Sequence, residues 1–116
     1  MKLRDWVETI YIPEQKLLAY ALNPANERGY HKAIVFKQKL GYTSENYISL
    51  MQQIQEMALD AEVIVRNSDQ FGQRVGTNLL ISGTHGQTAL VRVGWLIPPQ
   101  SREARLVTLW VLEEKA

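Results

Sequence analysis

Thr88-Ala89-Leu90-Val91-Arg92-Val93-Gly94-Trp95-Leu96-Ile97 is the stretch that decides the fold. In an extended strand Ala89, Val91, Val93, Trp95 and Ile97 share one face, and Thr88, Leu90, Arg92, Gly94 and Leu96 share the other. The first set is expected to meet helices. Just ahead of it, Gly83-Thr84-His85-Gly86 is a short glycine-bounded turn, so Arg74 to Ser82 is expected to form an antiparallel hairpin with this strand. Pro98-Pro99-Gln100-Ser101 ends the strand and returns the chain to another period-two run, Arg105 to Leu112. With Glu62 to Arg66 the natural count is four strands.

Before Asp60 the period changes from two to between three and four. Pro13 suits the first turn of a helix and Glu14 its positive end, and Leu17, Leu18, Ala21 and Leu22 follow at helical spacing, so a helix is expected near Pro13 to Leu22. Pro24 then pushes Asn23 toward extended geometry and breaks it. A second helix is expected to start near Arg28 or Gly29, with Ala33, Phe36 and Leu40 on its core face and Gly41 as its stop, behind Lys37 and Lys39. Thr43 reads as the N-cap of a third, whose stripe is Tyr47, Leu50, Met51, Ile54, Met57 and Ala58. Asp5 to Ile12 reads either as an edge strand or as an extended lead-in. The expected architecture is therefore α+β: three N-terminal helices on one face of a four-stranded antiparallel meander, in one domain spanning residues 1–116.

Composition narrows the function classes. At 116 residues and 46% hydrophobic content, the chain is expected to bury one core without disulfide or metal staples. The absence of cysteine removes thiol nucleophiles and thiolate zinc sites and suits a reducing compartment, so cytoplasmic residence is expected. No signal peptide opens the chain and no apolar run approaches a bilayer span, so no membrane partner is expected. Thirteen Lys and Arg against twelve Asp and Glu leave a net charge of +1, which removes a global nucleic-acid footprint but not a local basic patch. Nucleotide-binding glycine motifs and a Gly-x-Ser-x-Gly elbow are absent, and two distant histidines are a poor start for a metal site. Neither cofactor nor metal is expected.

One constellation remains. His31 and Lys32 open the second helix, and Arg92 and Thr108 are polar residues at interior positions of the third and fourth strands. A metal-independent ribonuclease needs a group that moves the 2′-hydroxyl proton near neutral pH, together with cations and a hydroxyl that hold the phosphorane. These four are the catalytic candidates. Each has a plain alternative: His31 as a solvated residue, Lys32 as an exposed helical cation, Arg92 in a cross-strand pair, Thr108 as a good β-former. Tyr30 and Tyr42 flank the second helix and are candidates to stack on bases, and His85 and Thr88 beside the hairpin turn are candidates to touch a substrate. Trp95 and Trp110 read as core residues.

The run Lys16-Leu17-Leu18-Ala19-Tyr20-Ala21-Leu22-Asn23-Pro24, then Gly29, Lys32-Ala33, Phe36, Leu40-Gly41-Tyr42 and Asn46, resembles a small bacterial domain family of unknown function. Gly86-Gln87-Thr88-Ala89-Leu90-Val91-Arg92-Val93-Gly94-Trp95 and Arg105-Leu106-Val107-Thr108 are similar to its second half. Members look like stand-alone chains encoded beside small antitoxin-like partners, or C-terminal domains of polymorphic toxins and phage-related proteins. The order of helices then sheet also resembles, at the level of fold, barnase, the RelE-type and ParE-type toxins and certain colicin tips. These resemblances imply a ribonuclease toxin domain with RNA as substrate and a small antitoxin or immunity-like protein as partner. The alternative is a non-catalytic domain that binds a small acidic partner, encoded nearby, through the sheet around Arg92 and Arg66. A small-molecule sensor built on Trp95 and Trp110 rests on composition alone.

Overall fold

The computed structural model describes residues 1–27 and 30–112. Five strands form one mixed sheet: β1 (Thr9–Tyr11), β2 (Ile64–Asp69), β3 (Gly72–Ser82), β4 (Thr88–Ile97) and β5 (Glu103–Val111), in the spatial order β1-β5-β4-β3-β2. Two α-helices, α1 (Tyr30–Leu40) and α2 (Ile48–Met57), follow a six-residue π-helix, Lys16–Ala21. Short 3-10 turns cover Leu3–Asp5 and Ala58–Asp60.

This corrects the expected four-stranded antiparallel meander behind three helices. A fifth strand, β1, precedes the helices and pairs parallel to β5, Ile10 lying opposite Ala104. The two strands lie far apart in sequence, and the helices between them supply the long crossover that a parallel pair requires. The helix expected over Pro13 to Leu22 is wound more widely: the Leu22 amide donates to the Leu17 carbonyl five residues back, at 2.8 Å. Thr43 does not cap a helix. Its amide donates to Asn46 Oδ1 at 2.7 Å and its hydroxyl accepts from the Glu45 amide at 3.2 Å, so local side-chain bonding holds a separate turn and α2 starts only at Ile48. The start placed at Arg28 or Gly29 lies outside the described residues.

The core forms where the alternation of β4 predicts it. Val91, Val93, Trp95 and Ile97 are buried against Leu79, Ile81 and Leu109 of the sheet and Leu17, Phe36, Leu40, Leu50 and Ile54 of the helices. The Trp95 indole N–H donates to Thr77 Oγ1 at 2.9 Å, which satisfies both groups at positions with no exposure. At the far end of α1, Gly41 takes a φ of +78°, and the Thr84 amide donates to the Leu40 carbonyl at 2.9 Å, fixing the β3–β4 turn to the helix end. No helix among the described residues is long and apolar enough to cross a membrane.

Two details of β5 decide what the open face of the sheet presents. β1 pairs only with Glu103 to Arg105, so no strand covers the outer edge of β5 beyond Arg105 among the described residues. Between Leu106 and Thr108 the register with β4 slips: Gly94 opposes Thr108 while Trp95 opposes Leu106. This bulge adds one residue, so Leu106 and Leu109 both point into the core while Thr108 and Trp110 turn to the open face.

Candidate functional site

The free edge of β5 is where helix and sheet chemistry meet. Lys32 belongs to the helical layer, yet its Nζ donates to Thr108 Oγ1 on the opposite face of the sheet, at 3.1 Å. The side chain therefore passes around the uncovered edge. Its ammonium lies 5.3 Å from the centroid of the Trp110 ring and 5.4 Å from that of Tyr20, so two aromatic faces hold it. Tyr20 stands in the π-helix, a distortion that recurs at functional sites. No carboxylate pairs with Lys32 among the described residues.

Thr108 has room because its opposite number is glycine. A Cβ at Gly94 would stand 2.8 Å from Thr108 Cγ2, closer than carbon atoms pack. The ammonium donates to the Thr108 oxygen, which leaves the hydroxyl proton free to point at a ligand. His31, Lys32, Val35, Trp110, Val111 and Leu112 line an open cavity of about 600 Å³ at this corner. His31 is exposed, its ring 4.0 Å from that of Tyr30.

Arg92 shares the open face, directly opposite Trp110 in the register. It does not lean toward Lys32. Its Nε donates to Asn78 Oδ1 on β3, and its Cδ lies 3.4 Å from where a Cβ of Gly76 would stand. Lys32 and Arg92 are thus two distinct cationic points on one face, Lys32 with Thr108 on β5 and Arg92 over β3. Few negative charges oppose them: the chain has no Asp or Glu between Asp69 and Glu103, the stretch that supplies β3 and β4.

The remaining candidates fall elsewhere. Tyr42 is 2% exposed, and its hydroxyl donates to the Ser82 carbonyl at 2.6 Å and accepts from Gln53 Nε2 at 2.9 Å, so its ring is core and cannot stack on a base. His85 stands at the tip of the β3–β4 turn, with Nδ1 3.0 Å from Thr84 Oγ1. That turn is fixed to the C-terminal end of α1, eight helical residues or roughly 12 Å from Lys32. Thr88 is exposed at the start of β4, in a groove with Gln38 and Lys39 that adjoins the Lys32 cavity through Val111 and Leu112. Tyr20 and Trp110 are the residues the sequence reading left out of the site. Trp110 was expected in the core but is only half-buried, and its place two residues beyond Thr108 was the available signal.

The chain belongs to a family described as a domain of unknown function (DUF6883), whose profile matches residues 2–113. Among solved structures, a chain of a contact-dependent growth inhibition toxin–immunity protein complex from Klebsiella pneumoniae 342 shares its fold. The TM-score is 0.69 at 14% identity, over 89% of this chain and 93% of that chain. No curated protein matches the chain in sequence.

Proposed function

We propose that this member of the family is a toxin-type domain that cleaves RNA without a metal ion. The observation that carries the reading is the Lys32–Thr108 contact, with no carboxylate partner among the described residues, next to the open cavity that Lys32 and His31 line together. A fixed cation and a free hydroxyl proton are the donors a phosphorane needs, and an imidazole can take up and return a proton at neutral pH. In this reading His31 takes the 2′-hydroxyl proton as the 2′ oxygen attacks phosphorus. Lys32 and Thr108 hold the non-bridging oxygens, the bond to the 5′ oxygen breaks, and that oxygen leaves as a hydroxyl with a proton from water in the groove. His31 then returns its proton to solvent. Arg92 supplies charge to the same RNA further across the sheet. The fold shared with a chain of a toxin–immunity complex favours a toxin system, with a small immunity-like protein as partner and the cytoplasm as the place of action.

Incubating the purified protein with total RNA in EDTA tests this. Fragments ending in 2′,3′-cyclic phosphate are expected, reduced about 100-fold or more by Lys32→Met at unchanged thermal stability. Intact RNA with the wild-type protein contradicts it.

A second reading has its own observation. Leu80 and Leu90 face each other across β3 and β4 on the open face, 54% and 45% exposed, beside Arg92. An apolar and cationic surface of that kind suits a small acidic partner with no chemistry at all. That reading predicts a stable complex with the product of the neighbouring gene, intact RNA, and no growth defect when the chain is expressed alone.

A further inference from the structure

We infer that Arg66 and Arg92 together form a second phosphate site, joined to the Lys32–Thr108 point by a trough in which a single strand of RNA lies across the β-strands. The inference rests on the RNA reading above and adds Arg66, a residue outside the proposed chemistry.

Partnering among the arginines singles these two out. Arg4 pairs with Asp60, Arg74 with Asp69, Arg102 with Glu8 and Arg105 with Glu103. Among the described arginines only Arg66 and Arg92 lack a carboxylate, and they are neighbours. A Cβ at Gly76 would lie 3.4 Å from Arg92 Cδ and 4.0 Å from Arg66 Cδ, so the two stems meet over β3 from the strands on either side of it. Alternation from Ile64, which pairs with Gly76, places Arg66 on this face, and the register slip between Val65 and Asn67 leaves it without a partner on β3. Two like charges brought together disfavour each other, and an anion between them reverses the sign. Asn78 holds Arg92 by its Nε alone, which leaves the terminal nitrogens of the guanidinium for a ligand.

Between the two points the strands carry no side chain of their own at two positions, and the Arg66 and Arg92 stems and the Thr108 methyl overhang them. Gly76 pairs with Gly94, and Gly94 pairs with Thr108, so two glycines in register run from beneath Arg66 to the hydroxyl that Lys32 holds. A strand interior is a costly place for glycine, and close approach of another backbone is a recognised use of it there. β3 lies two strand spacings from β5, roughly 10 Å. That span lets one extended strand place separate phosphates on the two cationic points, with the reacting one at Lys32. Arg66 is a binding residue in this arrangement and touches no reacting atom.

Two substrates separate this inference from the parent reading. A 2′-O-methyl pentanucleotide, which cannot be cleaved, reports binding by fluorescence anisotropy, and an unmodified dinucleoside monophosphate reports cleavage of a single phosphate. Arg66→Gln, at an exposed position, is expected to weaken pentanucleotide binding about 5- to 10-fold and to lower the salt slope by about 0.7, while dinucleotide cleavage stays at the wild-type rate. Wild-type protein that binds the pentanucleotide with this Arg66 dependence but cleaves nothing overturns the proposed chemistry and leaves the second site standing. Equal pentanucleotide binding by wild type and Arg66→Gln overturns the second site. So does a protein partner that needs Arg66 while the pentanucleotide does not bind.

Discussion

Replacing Gly94 with alanine tests how the open face is built, because the usual expectation has the opposite sign. Within a strand, glycine to alanine ordinarily stabilises by about 0.5–1 kcal/mol. Here the new Cβ would stand 2.8 Å from Thr108 Cγ2, and Thr108 is β-branched, so its relief is a rotation about χ1 or a shift of β5. Overpacking of that kind costs about 1–3 kcal/mol, so the net effect is a loss of about 1 kcal/mol. The rotation also carries Oγ1 away from the Lys32 ammonium, now 3.1 Å distant. Thr108→Ser keeps the hydroxyl and removes the obstructing methyl, so Gly94→Ala in that background is expected to be neutral or stabilising. Urea unfolding followed by tryptophan fluorescence measures all four proteins of the cycle. Equal or greater stability of Gly94→Ala in the wild-type background, or no relief by Thr108→Ser, refutes the packing argument.

Thr77→Val keeps the shape of the side chain but leaves the buried Trp95 N–H without its acceptor, and is expected to cost about 1–3 kcal/mol in the same unfolding assay; Thr77→Ser is expected to recover most of it. Asp69 gives a pH signature. A hydrogen bond from Arg74, with further ones from the backbone, holds its carboxyl below the ordinary value of 3.8, so its contribution to stability is present above that value and is lost as pH falls through the lower folded value. Asp69→Asn is therefore expected to flatten the fall of melting temperature below about pH 4, and an unchanged acid slope counts against the pairing.

What the sequence showed, and what it hid, follows from how local each signal is. β4 was legible because Val91, Val93, Trp95 and Ile97 repeat at period two over a long strand. The edge strand that Asp5 to Ile12 offered as one of two readings is β1, whose three residues, with only Ile10 partly buried, are too short for a period to decide between them, and its parallel partner far down the chain gave no signal. Leu17, Leu18, Ala21 and Leu22 fit α and π winding alike, so the wide turn that brings Tyr20 to Lys32 left no mark. Thr108 stands between Leu106 and Leu109, apolar residues in both phases of a strand, and only the bulge assigns it to the open face. Its residue type was a visible signal; its contact with Lys32, 76 positions away, was not. Arg92 was placed on the correct face from alternation, but the direction of its side chain is set by Asn78, its partner in register on β3.

The central claim is that Lys32 and Thr108 act as one unit on a phosphate. A double-mutant cycle of Lys32→Met and Thr108→Val on kcat/KM for RNA cleavage tests it most directly. Each single change is expected to lower kcat/KM, Lys32→Met by about 10²–10³, and the double variant to be little worse than Lys32→Met alone. Losses that multiply, or singles that cleave like the wild type, contradict the claim.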